Sequence, residues 1–140
     1  MSGTILVGYD GTEGADAALD EALRLAGEVG GSVVAVFAYK KVVVGGESHD
    51  LDQQVAERAD AMLARARERA AKAGTSIETA FVEGPPADVL VQEAESRDAR
   101  CVVIGSYGER PLRGVLVGAT PFKLIHLCER PVLIVRAPDA

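Results

Sequence analysis

Short apolar runs alternate with longer amphipathic segments along the whole of this 140-residue chain. Four of the runs are continuously apolar and predict buried strands, at residues 4–9, 32–38, 101–105 and 131–135. A fifth run, at residues 76–82, begins by alternating polar and apolar positions, as an edge strand does. Continuous apolar runs are typical of parallel strands covered on both faces, so the first four predict a largely buried parallel sheet.

Between the strands, apolar residues recur at the spacing of one helix face and predict four helices. Glycines at positions 30, 31 and 74 end the first two of them, and Pro86 suits the first turn of the third. The predicted helices are residues 15–29, residues 51–70, a stretch from Pro86 that carries Val89, Leu90, Val91 and Ala94, and residues 118–128.

Two further segments of the chain are predicted to be solvent-facing. Residues 39–50 contain Gly45 and Gly46 among polar neighbours and predict a loop. Charged residues of the second helix fall largely outside its apolar stripe, and a solvated face is their favoured interpretation over a binding patch. These residues are Arg58, Arg65, Glu68 and Arg69.

The order of the elements predicts the fold class. Strands alternate with helices throughout, and right-handed crossovers then produce a doubly wound α/β sheet with helices on both faces. A chain of this length fits one domain over residues 1–140. In such sheets ligands bind beyond the carboxyl ends of the strands, where the strand order reverses, which directs attention to the loops after strands one and four.

Composition and charge narrow the classes of function. The net charge of −6 argues against nonspecific nucleic-acid binding, which requires a basic surface. Aromatic residues make up 4% of the chain with no Trp, which argues against a base-stacking platform or a sugar cleft. No apolar run approaches the ~18 residues of a membrane span and the start lacks a charged leader, so we expect no membrane partner and a cytoplasmic location.

The cysteines and histidines predict no metal site and no disulfide. Cys101 and Cys128 each adjoin apolar sequence, and the favoured interpretation is a buried core thiol. A reducing compartment disfavours a disulfide between them. His49 and His126 show no spacing of metal ligands.

Glycine-rich turns follow strands one and four, at residues 8–12 and 105–108, and residues 118–120 open the last helix. Glycine permits close approach of the backbone to a ligand, a helix N-terminus suits phosphate, and Asp10 can accept hydrogen bonds from ribose hydroxyls. These features favour a nucleotide site, although the same residues also make ordinary turns. Neither a Walker A motif nor G-x-G-x-x-G occurs in the sequence.

The spacing of Gly105, Gly108 and Gly118 resembles the nucleotide-binding branch of the universal stress proteins, which carries G-x-x-G, nine residues, then Gly followed by Ser or Thr. Residues 7–12, 83–90 and 130–135 resemble the family's opening turn, its entry to the third helix and its closing strand. The resemblance covers essentially the whole chain. Each segment is a weak signal alone, and the combination is specific.

The resemblance implies a five-stranded parallel sheet in the order 3-2-1-4-5, of the adenine nucleotide alpha hydrolase-like type. It also implies a homodimer in which the last strand, Val132–Val135, pairs antiparallel with its twin. The implied ligand is an adenine nucleotide, ATP above all with AMP or cyclic AMP as alternatives, and Mg²⁺ is compatible with ATP. An exposed apolar terminal strand is otherwise an aggregation hazard, which agrees with such pairing.

Individual positions take their expected roles from the same resemblance. Asp10 is expected near the ribose, and Phe37 stands where the family places a residue whose backbone contacts adenine, although its ring equally suits the core. The expected binding residues are Gly8, Tyr9, Asp10 and Phe37 around adenosine, Gly105, Tyr107 and Gly108 in the first phosphate loop, and Gly118, Ala119 and Thr120 in the second.

The second phosphate loop departs from the family pattern at two positions. Ala119 replaces the Ser or Thr whose hydroxyl bonds phosphate, and Pro121 has no N–H to donate. Thr120 is the nearest substitute hydroxyl. Positive charge is available in sequence from Arg110, Arg113 and Lys123, for which exposed surface charge is at least as good an interpretation.

Three functions follow from these observations. The leading hypothesis is a regulatory or signalling dimer of the stress response that binds ATP in the cleft after strands one and four. The first alternative is a protein of the same fold that binds no nucleotide and acts through an unknown protein partner. The second alternative is a slow ATPase, for which Asp10 is the only acidic residue in the matching motifs.

Overall fold

A computed structural model of the protein describes residues 3–39, 49–106 and 119–137, and only the backbone of residues 49–55 and 119. Nine elements follow one another within these ranges. In chain order they are β1 (Thr4–Gly8), α1 (Glu13–Val29), β2 (Ser32–Tyr39), α2 (His49–Lys72), β3 (Ile77–Glu83), α3 (Pro86–Ser96), β4 (Cys101–Gly105), α4 (Ala119–Leu127) and β5 (Val132–Val135).

The five strands form one sheet in the order β3-β2-β1-β4-β5, and every neighbouring pair is parallel. The predicted strand order and the doubly wound α/β fold are therefore confirmed. Strand β3 lies at the edge, as its alternating sequence indicates. The strand order reverses between β1 and β4, because β2 and β3 lie on one side of β1 and β4 and β5 on the other. The switch point of the sheet is therefore beside Gly8 and Gly105.

Two separate apolar layers cover the faces of the sheet. One face packs against α1 and α2 through Ile5, Val7, Val33 and Val103 of the strands. The opposite face packs against α3 and α4. Alternate residues of the central strands enter the two layers, which explains why the buried positions of these strands are apolar.

Helix α1 shows how local sequence sets the limits of an element. The Thr12 hydroxyl caps its N-terminus by accepting a hydrogen bond from the Ala15 N–H at 3.2 Å. Gly30 ends it in the left-handed conformation, with φ of 68°. The predicted apolar stripe, from Ala15 to Val29, is buried against the sheet as far as Ala26, whereas Val29 is 38% exposed.

The structure corrects two of the sequence predictions. Tyr39 belongs to β2 and His49 and Asp50 to α2, so only residues 40–48 of the predicted loop remain, and these lie outside the described residues. The apolar sequence of strand β5 predicts that it is covered on both faces, yet Leu133 is 38% exposed. The reason is its edge position, because only Val135 of β5 packs against the layer under α1 and α2.

Candidate functional site

A cavity of about 270 Å³ opens at the carboxyl edge of the sheet, where β1 and β4 part. Its walls come from the ends of three strands and from the N-terminal turns of α1, α3 and α4. The lining residues are Gly8, Tyr9, Asp10, Thr12, Ala15, Val36, Ala38, Pro86, Leu90, Ile104, Gly105, Thr120 and Pro121. The cavity lies at the switch point, where ligands of doubly wound sheets bind.

The turn after β1 places a carboxylate at the mouth of the cavity. Asp10 is exposed, and its Oδ1 accepts hydrogen bonds from the Thr12 N–H at 3.0 Å and the Thr12 hydroxyl at 2.5 Å. Gly11 between them has φ of 79°, a conformation that favours glycine. Within the described part of the chain Oδ2 makes no hydrogen bond, so the turn orients Asp10 and leaves one oxygen for a ligand.

Tyr9 is held at its backbone and at its side chain. Its N–H donates to the Val36 carbonyl at 2.9 Å, and its buried hydroxyl donates to Asp16 Oδ1 at 2.6 Å. Burial, the hydrogen bond to Asp16 and the negative charge of that carboxylate together raise the pKa of Tyr9 above its usual range. The hydroxyl therefore stays protonated, and it acts as a fixed donor to α1.

The other half of the cavity is formed by β4 and α4. Gly105 lines it, but a Cβ at this position would lie 2.7 Å from the carbonyl carbon of Gly14 in α1. The close contact between β4 and α1 therefore already requires glycine at position 105. Thr120 and Pro121, in the first turn of α4, complete the wall.

Several predicted residues cannot be placed around this cavity. Tyr107, Gly108 and Gly118 lie outside the described residues, as do Arg110 and Arg113. Ala119 is the first residue of α4, and nothing is described of its side chain. The structure thus brings Gly8, Tyr9, Asp10, Gly105 and Thr120 together, and their roles in binding stay predictions.

Phe37 is not among the residues that line the cavity, although its neighbours Val36 and Ala38 are. Its ring stacks on Phe81 with centroids 5.2 Å apart, on the opposite face of β2. A contact from its backbone to a ligand stays a prediction. The structure places the ring in an aromatic cluster between β2 and β3, where Tyr39 also stacks on Phe81 at 4.1 Å.

The lining combines an apolar slot with a polar rim. Val36, Leu90 and Ile104 form the slot, while Asp10, Thr12 and Thr120 contribute oxygens at its edge. The N-termini of three helices meet here, so unpaired N–H groups and helix dipoles favour an anion at the rim. The chemistry of these walls is suited to binding a small molecule that has a flat apolar part and a polar or anionic part.

Neither a metal site nor paired acid and base groups accompany this cavity among the described residues. No group of three or more His, Cys, Asp or Glu side chains capable of holding a metal is found there. Asp10 is the single carboxylate that the described residues contribute to the lining. In the same ranges, no helix has the length and apolarity required to cross a bilayer.

Sequence reasoning missed the support behind Tyr9. Asp16 is 5% exposed, and its Oδ2 forms an ion pair with Arg65 of α2. Asp16 stands three residues before Leu19 and seven before Leu23, both buried, so a charge at a core position of α1 was the available signal. The slot residues Val36, Leu90 and Ile104 carry no such signal, because their sequences look like ordinary core.

The sequence matches a known protein family along nearly its whole length. The model of the universal stress protein family matches residues 1–136. The universal stress protein YxiE of Bacillus subtilis is 30% identical over 97% of this chain and 100% of its own length.

Two solved structures extend the comparison. A universal stress protein in complex with cAMP is 29% identical, covers 96% of this chain and 97% of its own, and has a TM-score of 0.76. Protein MJ0577 of Methanocaldococcus jannaschii shares the fold with a TM-score of 0.86 at 21% identity, over 98% of this chain and 97% of its own. Because the family match spans nearly the whole sequence and a relative matches along its full length, the chain belongs to the universal stress protein family.

Proposed function

We propose that this protein binds an adenine nucleotide, ATP above all, in the cavity between β1 and β4, and acts as a homodimeric regulator. The observation that carries the proposal is the oriented carboxylate of Asp10 beside an apolar slot at the switch point of the sheet. The cAMP complex of the relative with 29% identity supports the same class of ligand.

The proposed pose follows from the chemistry of the walls. The adenine ring enters the slot formed by Val36, Leu90 and Ile104, where burial of its apolar faces contributes to affinity. Asp10 accepts hydrogen bonds from the ribose hydroxyls through its free oxygen. The phosphates point to the first turn of α4, where the Thr120 hydroxyl and the helix N-terminus meet them.

The departures from the family motif set an expectation for affinity. Pro121 lines the cavity and has no N–H for phosphate, and Ala119 has no hydroxyl. Loss of one charge-assisted hydrogen bond is worth ~1.5–3 kcal/mol, so binding is weakened by roughly tenfold or more. We therefore expect ATP to bind more weakly here than where both contacts are present.

Equilibrium binding of ATP to an Asp10→Ala variant tests the pose. We expect its dissociation constant to rise by roughly tenfold, since a hydrogen bond to a charged group is removed. Asp88→Ala is the matched control, because Asp88 is exposed in the first turn of α3 and does not line the cavity. Equal affinity of Asp10→Ala and wild type contradicts the pose, and a Gly118→Val variant that binds normally contradicts the expected phosphate loop.

The protein is proposed to bind ATP without physiological turnover. Phosphoryl transfer is promoted by a positioned base, metal carboxylates and a cationic clamp, whereas the described lining contributes Asp10 alone. ATP hydrolysis above background that disappears in Asp10→Asn would overturn this part of the proposal.

A second candidate function rests on a different surface. Helix α4 exposes Phe122, Ile125 and Leu127 to 57%, 50% and 51%. Large exposed apolar side chains grouped on one element favour contact with another protein. If the protein acts only through such contacts, the wild type and the Asp10→Ala and Gly118→Val variants should all bind the protein partner equally well. Loss of partner binding in either variant contradicts this second function.

A further inference from the structure

Behind the candidate site lies an aspartate that is buried and fully engaged. Asp16 Oδ1 accepts the Tyr9 hydroxyl at 2.6 Å, and Oδ2 pairs with the Arg65 guanidinium. Arg69 Nε stands 3.9 Å from Oδ1. A buried carboxylate is strongly unfavourable unless it is paired, so Tyr9 and Arg65 together determine where Asp16 rests.

This carboxylate reaches the candidate site through Tyr9. Tyr9 lines the cavity, and its hydroxyl is bonded to Asp16 of α1. Its backbone is paired with β2, so the residue is tied at both ends. Asp10 follows directly, which means that the position of its carboxylate depends on how firmly Tyr9 is held.

Helix α2 contacts the same turn by a second route. A Cβ on Gly11 would lie 3.0 Å from Met62 Cγ, so the Met62 side chain packs directly over the turn that carries Asp10. Met62 and Arg65 are three residues apart and share one side of the helix. Thus α2 holds the turn through packing at Gly11 and through the ionic contact with Asp16.

We infer that Asp16 and Arg65 are positioning residues that couple helix α2 to the affinity of the turn at Asp10 for its ligand. The inference rests on the proposed nucleotide site. Neither residue lines the cavity, and both act through Tyr9. A ligand that contacts Asp10 binds more tightly when α2 holds the turn in the conformation that the ligand requires. The difference in binding free energy with and without these α2 contacts is the coupling free energy.

Calorimetric titration with ATP, joined to urea unfolding, tests the coupling. Tyr9→Phe removes the hydroxyl, and Asp16→Asn removes the charge at nearly constant volume. We expect each to raise the dissociation constant at least about fivefold. The double variant should lose no more than the worse single variant, because both changes break one interaction. Arg65→Gln should behave like Asp16→Asn, and Arg65→Lys should recover part of the affinity.

Asp20→Asn is the matched control. Asp20 joins the same two helices through Arg69, with contacts of 2.6 and 3.1 Å, but it touches neither Tyr9 nor the cavity. We expect it to lower the urea midpoint while the dissociation constant for ATP stays within twofold of wild type. A purely structural role for Asp16 predicts the same pattern for Asp16→Asn and Tyr9→Phe, and that pattern overturns the inference.

The two levels of the proposal fail in different ways. If wild type binds ATP and Tyr9→Phe binds it equally well, the coupling is wrong and the nucleotide site stands. If wild type fails to bind ATP at millimolar concentration, the nucleotide site is wrong and the coupling falls with it.

Discussion

At the end of β4, Gly105 lies so close to α1 that a methyl group has no room. The position expected for its Cβ is 2.7 and 2.8 Å from the carbonyl carbon and oxygen of Gly14, which are backbone atoms and cannot rotate away. The sequence pattern attributes this glycine to close approach of a ligand. The structure adds a requirement that exists without any ligand, because α1 leaves no room for a Cβ at this position.

Gly105→Ala should therefore destabilise the fold. We expect the free energy of unfolding, measured in urea, to fall by about 1–3 kcal/mol, as for other overpacked sites. Gly27→Ala is the control, since Gly27 lies in α1 and a Cβ there would meet no neighbouring atom within 4 Å. That change should raise stability by about 0.5–1 kcal/mol, because alanine is the better helix former. Unchanged stability of Gly105→Ala would contradict this expectation, because it would mean that β4 and α1 can move apart to accommodate a methyl group at no energetic cost.

The sequence alone predicts that Asp10 lies in a turn at the edge of the sheet, but it does not predict the contacts of Asp16 behind that turn. An aspartate between a strand and a glycine is a recognisable turn, and its place at the sheet edge follows from the fold. The pairing of Asp16 with Arg65 joins residues 49 positions apart, which no local pattern encodes. Arg65 does lie on an exposed face, as predicted, but it also forms an ion pair across to α1.

At the scale of elements, the N-terminus of α1 serves both the fold and the site. Thr12 caps the helix with its hydroxyl, donates to Asp10 with the same group, and lines the cavity. The cap fixes the direction in which the chain leaves the turn. The helix start and the orientation of Asp10 therefore depend on one side chain.

Thr12→Ala should cost about 1 kcal/mol of unfolding free energy, because the helix loses its capping oxygen. Thr12→Ser keeps that oxygen and should retain most of the stability. Thermal or urea unfolding followed by circular dichroism measures both variants. Equal stability of the alanine and serine variants is the result that contradicts a capping role.

The strands and helices are predicted well from the sequence because the apolar pattern of each one reflects which of its faces are buried. The central residues of β1, β2 and β4 are buried on both faces and are apolar, and the helix stripes match buried positions such as Ala59, Leu63 and Ala66. Strand β5 carries the same apolar sequence but is not covered on both faces. Sequence cannot distinguish a strand covered by its own helices from one left open at the edge.

At the scale of the whole molecule, the open edge of β5 bears on assembly. Within the described ranges β5 pairs on one side only, with β4, and Leu133 remains 38% exposed. An unpaired apolar edge strand is a template for pairing with another chain. The proposed antiparallel pairing of Val132–Val135 with a second copy would cover it.

Light scattering after size exclusion tests this assembly. We expect a molar mass of twice the 14.6 kDa of one chain, shifting to one chain in Leu133→Lys, because lysine blocks edge pairing. Val29→Lys is the matched control, since Val29 is equally exposed at 38% but lies at the end of α1. A wild type that stays at the mass of one chain at every concentration refutes the homodimer.

The net negative charge of the whole molecule bears on how an anionic ligand can be bound. A chain of net charge −6 does not attract an anion through its overall field, so the proposed pose relies on local N–H groups, helix dipoles and Thr120 to hold the phosphates. Affinity for a nucleotide is thus a local property of the site and of the residues that position it. The coupling inferred for Asp16 and Arg65 rests on the same property.

Calorimetric titration of the wild-type protein with ATP, AMP and cyclic AMP tests that property most directly. We predict saturable binding of one adenine nucleotide per chain, with a dissociation constant below the millimolar range and ATP as the preferred ligand. The contradicting result is the absence of saturable heat for all three nucleotides at millimolar concentration.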